Sequence, residues 1–293
     1  MARVTVGTRG SALALAQANW VADRLRAAHQ DLDVCVQIIQ TEGDRTQAAN
    51  IPLSTFGEKG VFAKEIEAAL LAGAVDLAVH SMKDLAPVLP EGLHIAAVPE
   101  REDPRDAVIG ANLADLPAGA RVGTGSVRRT ALLQSLRPDL DIQSIRGNVD
   151  TRIRKLREGQ YDVILLAVAG LNRLGRHDEI AEILDPQGFV PDPGQGALAI
   201  QTRVGDDTTN ALVAALDHPP SHIAVRAERA YLKALGAGCQ TPVGAWARLI
   251  DGQLVLTALL ALPDGSIKRE TLAGAPEEAE ELGRKIAETL ACA

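Results

Sequence analysis

The sequence predicts an α/β protein: two similar sheet-and-helix domains followed by a smaller α+β C-terminal domain. Three observations carry this expectation. Short apolar strands alternate with helical patterns in the order β-α-β-α-β, and the pattern then restarts. A strand–Gly/Thr/Ser turn–helix unit opens each half, as Val6-Gly7-Thr8-Arg9-Gly10-Ser11 and again as Val122-Gly123-Thr124-Gly125-Ser126. The length, 293 residues, exceeds one ordinary core of ~100–150 residues.

In order along the chain, Val4–Val6 reads as a strand and Ser11 to about Ala28 as a helix. That helix is Ala/Leu-rich, but Gln17 and Asn19 interrupt it and Asp23-Arg24-Leu25-Arg26 continues it, so it reads as amphipathic rather than as an export signal. Val34–Ile39 is a second strand and Phe62–Leu71 a helix with Phe62, Ile66, Ala69 and Leu70 on one face. Asp76–Val79 is a third strand, and this order predicts a parallel sheet covered on both sides. Arg121–Gly123, Ile142–Ile145 and Val163–Ala167 repeat the strands, with helices over Val127–Leu136 and Val149–Glu158. Pro99–Pro104 and Pro186–Gly196 read as crossings between domains. After Pro219-Pro220 come a helix (Ile223–Leu235), a loop (Gly236–Gly244), a strand (Gln253–Leu262) and an amphipathic helix (Glu277–Leu290).

Composition narrows the function. Thirty Lys+Arg against 38 Asp+Glu leave a net charge of −8, and aromatics make up 2%. Both weigh against a nucleic-acid binder, which needs basic surface and stacking platforms. No apolar run approaches the ~18 residues of a membrane helix. Three cysteines, far apart, do not suggest a disulfide framework, so the cytoplasm is the expected compartment. Charge is uneven: from Arg121 to Arg157, eight Arg and one Lys stand against three Asp. A positive island in an acidic protein points to a compact anionic ligand.

Several residues could carry chemistry. Cys239, in Gly236-Ala237-Gly238-Cys239-Gln240-Thr241-Pro242, reads as a thiol on an open loop, suited to nucleophilic attack, redox chemistry or covalent tethering. Cys35 lies in a strand pattern and is expected in the core. His80-Ser81-Met82-Lys83-Asp84 follows a strand, where ligands collect in α/β sheets, and sets a cation beside a carboxylate. Arg146-Gly147-Asn148 and Arg152 place guanidinium groups around a strand end and a helix start, suited to carboxylates. The Gly-rich turns at Arg9 and at Arg128-Arg129 leave backbone N–H groups at helix N-termini, which favours anions. No metal site is expected: the histidines are scattered, and Pro219-Pro220 separate His218 from His222.

Taken together, Thr8-Arg9-Gly10-Ser11, Val79-His80-Ser81-Met82-Lys83-Asp84, Arg101-Glu102-Asp103-Pro104-Arg105-Asp106, Val127-Arg128-Arg129, Arg146-Gly147-Asn148-Val149, Gly194-Gln195-Gly196-Ala197 and Gly238-Cys239-Gln240-Thr241-Pro242 resemble the porphobilinogen deaminase (hydroxymethylbilane synthase) family across essentially the whole chain. The resemblance implies two periplasmic-binding-protein-like α/β domains plus a smaller α+β C-terminal domain. The implied bounds are 1–98 with 197–217, then 99–196, then 218–293. It implies a reaction in which four porphobilinogen molecules condense head to tail on a dipyrromethane cofactor, thioether-linked to Cys239, releasing ammonia and then hydroxymethylbilane. Asp84 matches the catalytic carboxylate. Ser81, Lys83, Asp84, Ser126, Arg128, Arg129, Arg146 and Gly147 match cofactor-binding positions, and Arg9, Ser11, Phe62, Arg146, Arg152 and Gln195 substrate-binding ones. Glu42–Gly60, with Lys59, is expected to be a mobile lid. The implied partner is porphobilinogen alone, with no nucleic acid, no membrane and no second subunit. Ala237, Gly125 and Asp150 depart from the residues usual at those places, without removing a catalytic group.

Overall fold

The computed structural model describes residues 2–41, 63–236 and 241–292. The chain divides into two compact units, Met1–Arg101 with Ala197–His222, and Glu102–Gly196 with Ile223–Ala293. In chain order the strands of the two larger sheets are β1 (Ala2–Thr8), β2 (Leu32–Ile38), β3 (Leu77–Ser81), β4 (Leu93–Ala97), β5 (Asp106–Ile109), β6 (Arg121–Gly123), β7 (Asp141–Gln143), β8 (Val163–Ala167), β9 (Ile180–Ile183) and β10 (Leu198–Arg203).

The first unit holds a five-stranded sheet in the order β2-β1-β3-β10-β4, the second a sheet in the order β7-β6-β8-β5-β9. Within each, three strands are parallel, as the βαβ pattern requires. The expectation of an all-parallel sheet is corrected by β10 and β5, which run antiparallel to both their neighbours. The reason is where they come from. β5 and β10 each follow a crossing rather than a covering helix, so they enter their sheets from the opposite end. The two sheets therefore share one topology, with β6, β7 and β8 standing where β1, β2 and β3 stand.

Helices α1 (Ala12–Ala28) and α2 (Lys64–Leu71) belong to the first unit, α3 (Val127–Leu136), α4 (Val149–Arg157) and α5 (Val168–Arg173) to the second. Val6, Val21, Leu25, Leu77 and Ile200 form the core on one face of the first sheet, and Ile66, Leu70, Val75 and Ala78 that on the other. The second sheet is buried on both faces as well, by Val108, Leu132 and Leu165 on one side and Ile109, Ile153 and Ile164 on the other. Short α6 (Asp207–Ala214) returns the chain to α7 (Pro219–Ala234). Pro219 and Pro220 open that helix instead of separating two histidines, because proline suits the first helical turn, where its missing N–H has no intrahelical partner. His222 N–H bonds the His218 carbonyl at 3.0 Å, while the two rings turn to Asp217 and Ser221.

The C-terminal part is a three-stranded antiparallel sheet of β11 (Val243–Ile250), β12 (Gln253–Ala261) and β13 (Ile267–Gly274), with α7 and α8 (Ala279–Cys292) on it. Ala227, Tyr231, Leu256 and Ile286 form its core. Leu259, Trp246 and Ile267 reach into the core of the second sheet, which is why residues 223–293 pack as one unit with residues 102–196. Cys35, expected in the core, sits half-exposed on edge strand β2, its Sγ 3.2 Å from Arg3 Nη2. No described helix is long and apolar enough to cross a membrane.

Candidate active site

Two groups of residues stand out, one in each unit. In the first, the ends of β1 and β3, the start of α1 and the start of α2 line a pocket open to solvent. Arg9, Ser11, Gln17, His80, Ser81 and Asp84 line its polar part. Ser11 is there because the chain leaves β1 extended and turns into α1, where the Ser11 Oγ caps the helix by accepting from Ala14 N–H at 3.3 Å. A hydroxyl used as an acceptor still carries a proton to donate, so the cap and an anion can share it. Ser81 exchanges hydrogen bonds of 2.9 and 3.2 Å with the side chain of Gln17. Gln17 belongs to no motif, and its signal in the sequence is one amide on the apolar face of an amphipathic helix, which is buried here.

Strand β3 gives way to a single 3-10 turn, Met82–Asp84. Met82 anchors it, buried and bonded through its N–H to the Ala197 carbonyl at 3.0 Å. The anchored turn carries Lys83 and an exposed Asp84 beyond the strand's end. His80, one residue before Ser81 and so on the other face of the sheet, is buried. Its pKa is pushed down to about 4, by burial first and also by the charge of Arg9, against the nearby Gln201 side chain, which favours the charged form. The ring is neutral at physiological pH.

In the second unit, Ser126 caps α3 as Ser11 caps α1, its Oγ accepting from Arg129 N–H at 3.4 Å. Arg128 and Arg129 point inward and are buried. Their partner is Asp106, which accepts from Arg128 Nη1 at 2.8 Å, from Arg129 Nη2 at 2.6 Å and from Gln195 Nε2 at 3.0 Å. Desolvation alone would raise the Asp106 pKa, but the two guanidinium groups outweigh it and hold the carboxyl well below the usual carboxylate range. Gln195, read as a substrate ligand, also bonds the Pro104 carbonyl at 2.7 Å and so ties the two crossings together.

Arg152 bonds the Gly147 carbonyl through Nε at 2.8 Å, and Lys155 Nζ bonds the Arg146 carbonyl at 3.2 Å. The Arg152 pKa is lowered to about 10, chiefly by burial and further by the nearby charges of Arg129 and Arg146. A guanidinium lowered in this way is relieved by an anion. The other cations of the island are spent on the surface: Arg121 on Asp162, Arg137 on Asp139, Arg154 on Glu158 and Arg157 on Glu179. Arg128 and Arg129 are spent on buried Asp106, and Arg146 and Arg152 lie beside them. Phe62, Cys239 and the expected lid with Lys59 lie outside the described residues.

In each unit, a serine-capped helix start stands beside cations, an arrangement suited to anionic ligands. Residues 4–211 match the family "Porphobilinogen deaminase, dipyromethane cofactor binding domain" and residues 222–291 match "Porphobilinogen deaminase, C-terminal domain". The porphobilinogen deaminase of Syntrophobacter fumaroxidans is 48% identical over 97% of this chain and 92% of its own length. That of Thermus thermophilus is 50% identical over 97% and 94%. The chain belongs to the porphobilinogen deaminase family. Among solved structures it aligns with the methionine-binding protein MetQ at 14% identity and TM-score 0.45, over 73% of this chain and 89% of that one.

Proposed function

We propose that this chain condenses porphobilinogen into hydroxymethylbilane, with Asp84 as its catalytic residue and the cations of both units as its carboxylate holders. The observation that supports this most is Arg152, whose guanidinium is held down to a pKa of about 10 by burial first and then by the neighbouring charges of Arg129 and Arg146. Each pyrrole ring brings an acetate and a propionate, so six rings bring about a dozen carboxylates to be neutralised. The dipyrromethane cofactor fits such a donor set, and Cys239 is the residue to hold it covalently, in a third domain spanning 218–293. When bound, it supplies the nucleophilic pyrrole carbon from which the chain grows.

The chain's own residues then have these tasks. Arg9 and Ser11 receive substrate carboxylates at the start of α1. Ser81, fixed by Gln17, and Lys83 orient the ring system beside Asp84. Loss of ammonia from the substrate's aminomethyl group leaves a cation shared with the pyrrole nitrogen, and Asp84 accepts that N–H and stabilises the charge as it forms. The same carboxylate takes part in moving the proton released when the new ring rearomatises. Ser126, Arg146, Gly147 and Arg152 hold further side chains, with Arg129 supplying charge from behind. We place the protein in the cytoplasm as a monomer whose partner is porphobilinogen, a reading its net charge and sparse aromatics favour over nucleic-acid binding.

Asp84→Asn keeps the shape of the side chain and removes its charge. Turnover, followed as ammonia or bilane released, is expected to fall about a hundredfold or more, with circular dichroism and thermal midpoint unchanged. Near-normal turnover of the folded variant would remove Asp84 from the reaction.

A further inference from the structure

Behind the Asp84 pocket lies a second polar group that the reaction as described does not use. His80 on β3 and Gln201 on β10 are diagonal neighbours, because Ala199 pairs with His80 and Gln201 with Ala78, which places both side chains on one face of the sheet. Helix α2 covers that face. From it, Glu67 accepts from the Gln201 side-chain Nε2 at 3.0 Å. All three side chains are buried. Two of their polar atoms, His80 Nε2 and Gln201 Oε1, have no hydrogen-bond partner among the described residues.

Such orphaned atoms are costly, and native proteins keep few of them. Here the two orphans complement each other. Gln201 Oε1 only accepts. The Gln201 amide is fixed in that orientation, since its Nε2 already donates to Glu67 Oε1. A neutral imidazole with its proton on Nε2 is the matching donor, and a small ring rotation or one bridging water closes the bond. Burial keeps the ring neutral, and the charge of Arg9 opposes a second cation there.

We propose that His80, Gln201 and Glu67 form one hydrogen-bonded relay, His80 Nε2–H to Gln201 Oε1 and Gln201 Nε2–H to Glu67, and that it positions the Ser81–Asp84 turn for the reaction. The relay joins three elements. Glu67 neighbours Ile66, which with Ala63 lines the pocket from the α2 side. Gln201 stands on the strand that follows the second crossing. His80 directly precedes the turn that carries Lys83 and Asp84. With the relay made, the walls of the pocket and the carboxylate hold one geometry; with it broken, α2 and the turn move independently. His80 is thus a positioning residue, not a proton donor to the substrate, because its Nε2 is buried and faces Gln201 across the sheet. The proposal rests on Asp84 acting as read above.

The test has two parts. In the cofactor-bearing enzyme labelled with ¹⁵N-histidine, the His80 ring is expected as the neutral Nε2–H form at pH 7. In kinetics, His80→Phe and Gln201→Leu should each lower kcat about tenfold with KM for porphobilinogen within about twofold, because a misplaced catalytic group costs rate before binding. His80→Gln, whose amide sets a donor near the position of Nε2, should recover most of the loss. A proton on Nδ1, an unchanged kcat in His80→Phe, or a His80→Gln protein as slow as His80→Phe would each overturn the relay. If His80→Phe does not fold, the ring spectrum of the unaltered enzyme decides. Failure of the Asp84 reading would show differently, as a fully active Asp84→Asn protein.

Discussion

Asp106 has no exposed surface and accepts hydrogen bonds from Arg128, Arg129 and Gln195, so two of the island's cations are committed to holding the second unit together. A sequence count shows how many charges a stretch carries but not which are already neutralised. The carboxylate that neutralises Arg128 lies 22 residues away, and the glutamine that shares this carboxylate lies 89 residues from it. His80 makes the same point for a neutral group. Its motif was legible as a site motif, yet nothing local showed that the ring is buried and uncharged. The consequence is measurable. The unfolded chain takes up a proton at the imidazole near pH 6.5 and the folded one only near 4. Between those values the unfolded state binds more protons, so the stability contributed above pH 6.5 is lost as pH falls towards 4, by at most roughly 1.4 kcal/mol per pH unit. Urea midpoints of the wild type and His80→Gln, compared at pH 7 and 5, should converge on acidification, with the variant the less pH-sensitive. Equal slopes would show that His80 is not the group responsible.

At the scale of elements, helix starts were read well because their signals are local. Ser11 and Ser126 are caps that a strand, a small-residue turn and a helical period announce within a few residues. The start of α7 at Pro219 is ambiguous in the sequence because proline has two meanings, breaker inside a helix and starter at its first turn. Gly147 shows what a turn demands of a residue. Its φ is +118°, and a Cβ there would come within 2.5 Å of Thr151 Cγ2. Its carbonyl also orients Arg152. Gly147→Ala should therefore destabilise the protein by about 1–3 kcal/mol and raise KM for porphobilinogen, as the helix start and Arg152 shift together. A variant with wild-type KM and urea midpoint would mean that neither the turn geometry nor Arg152 depends on that glycine.

Over the whole molecule, the protein is acidic while its proposed ligand is a polyacid, and the fold reconciles them by spending most surface cations on neighbouring carboxylates and keeping a few close together. The covalent part of the proposal is tested on the intact chain. Active protein should exceed its sequence mass by two condensed pyrrole units, and Cys239→Ser should remove both the excess and the activity. An active enzyme at its bare sequence mass would show that no cofactor is attached. By itself the sequence determined the order and type of the main elements, the two similar halves and the motif turns, because periodicity, caps and turn residues act over a few positions. Only the tertiary structure decided the direction of β5 and β10, the burial of Arg128 and Arg129 on Asp106, and the neutrality of His80. Each of these depends on groups brought together from distant parts of the chain, and on water excluded once they meet.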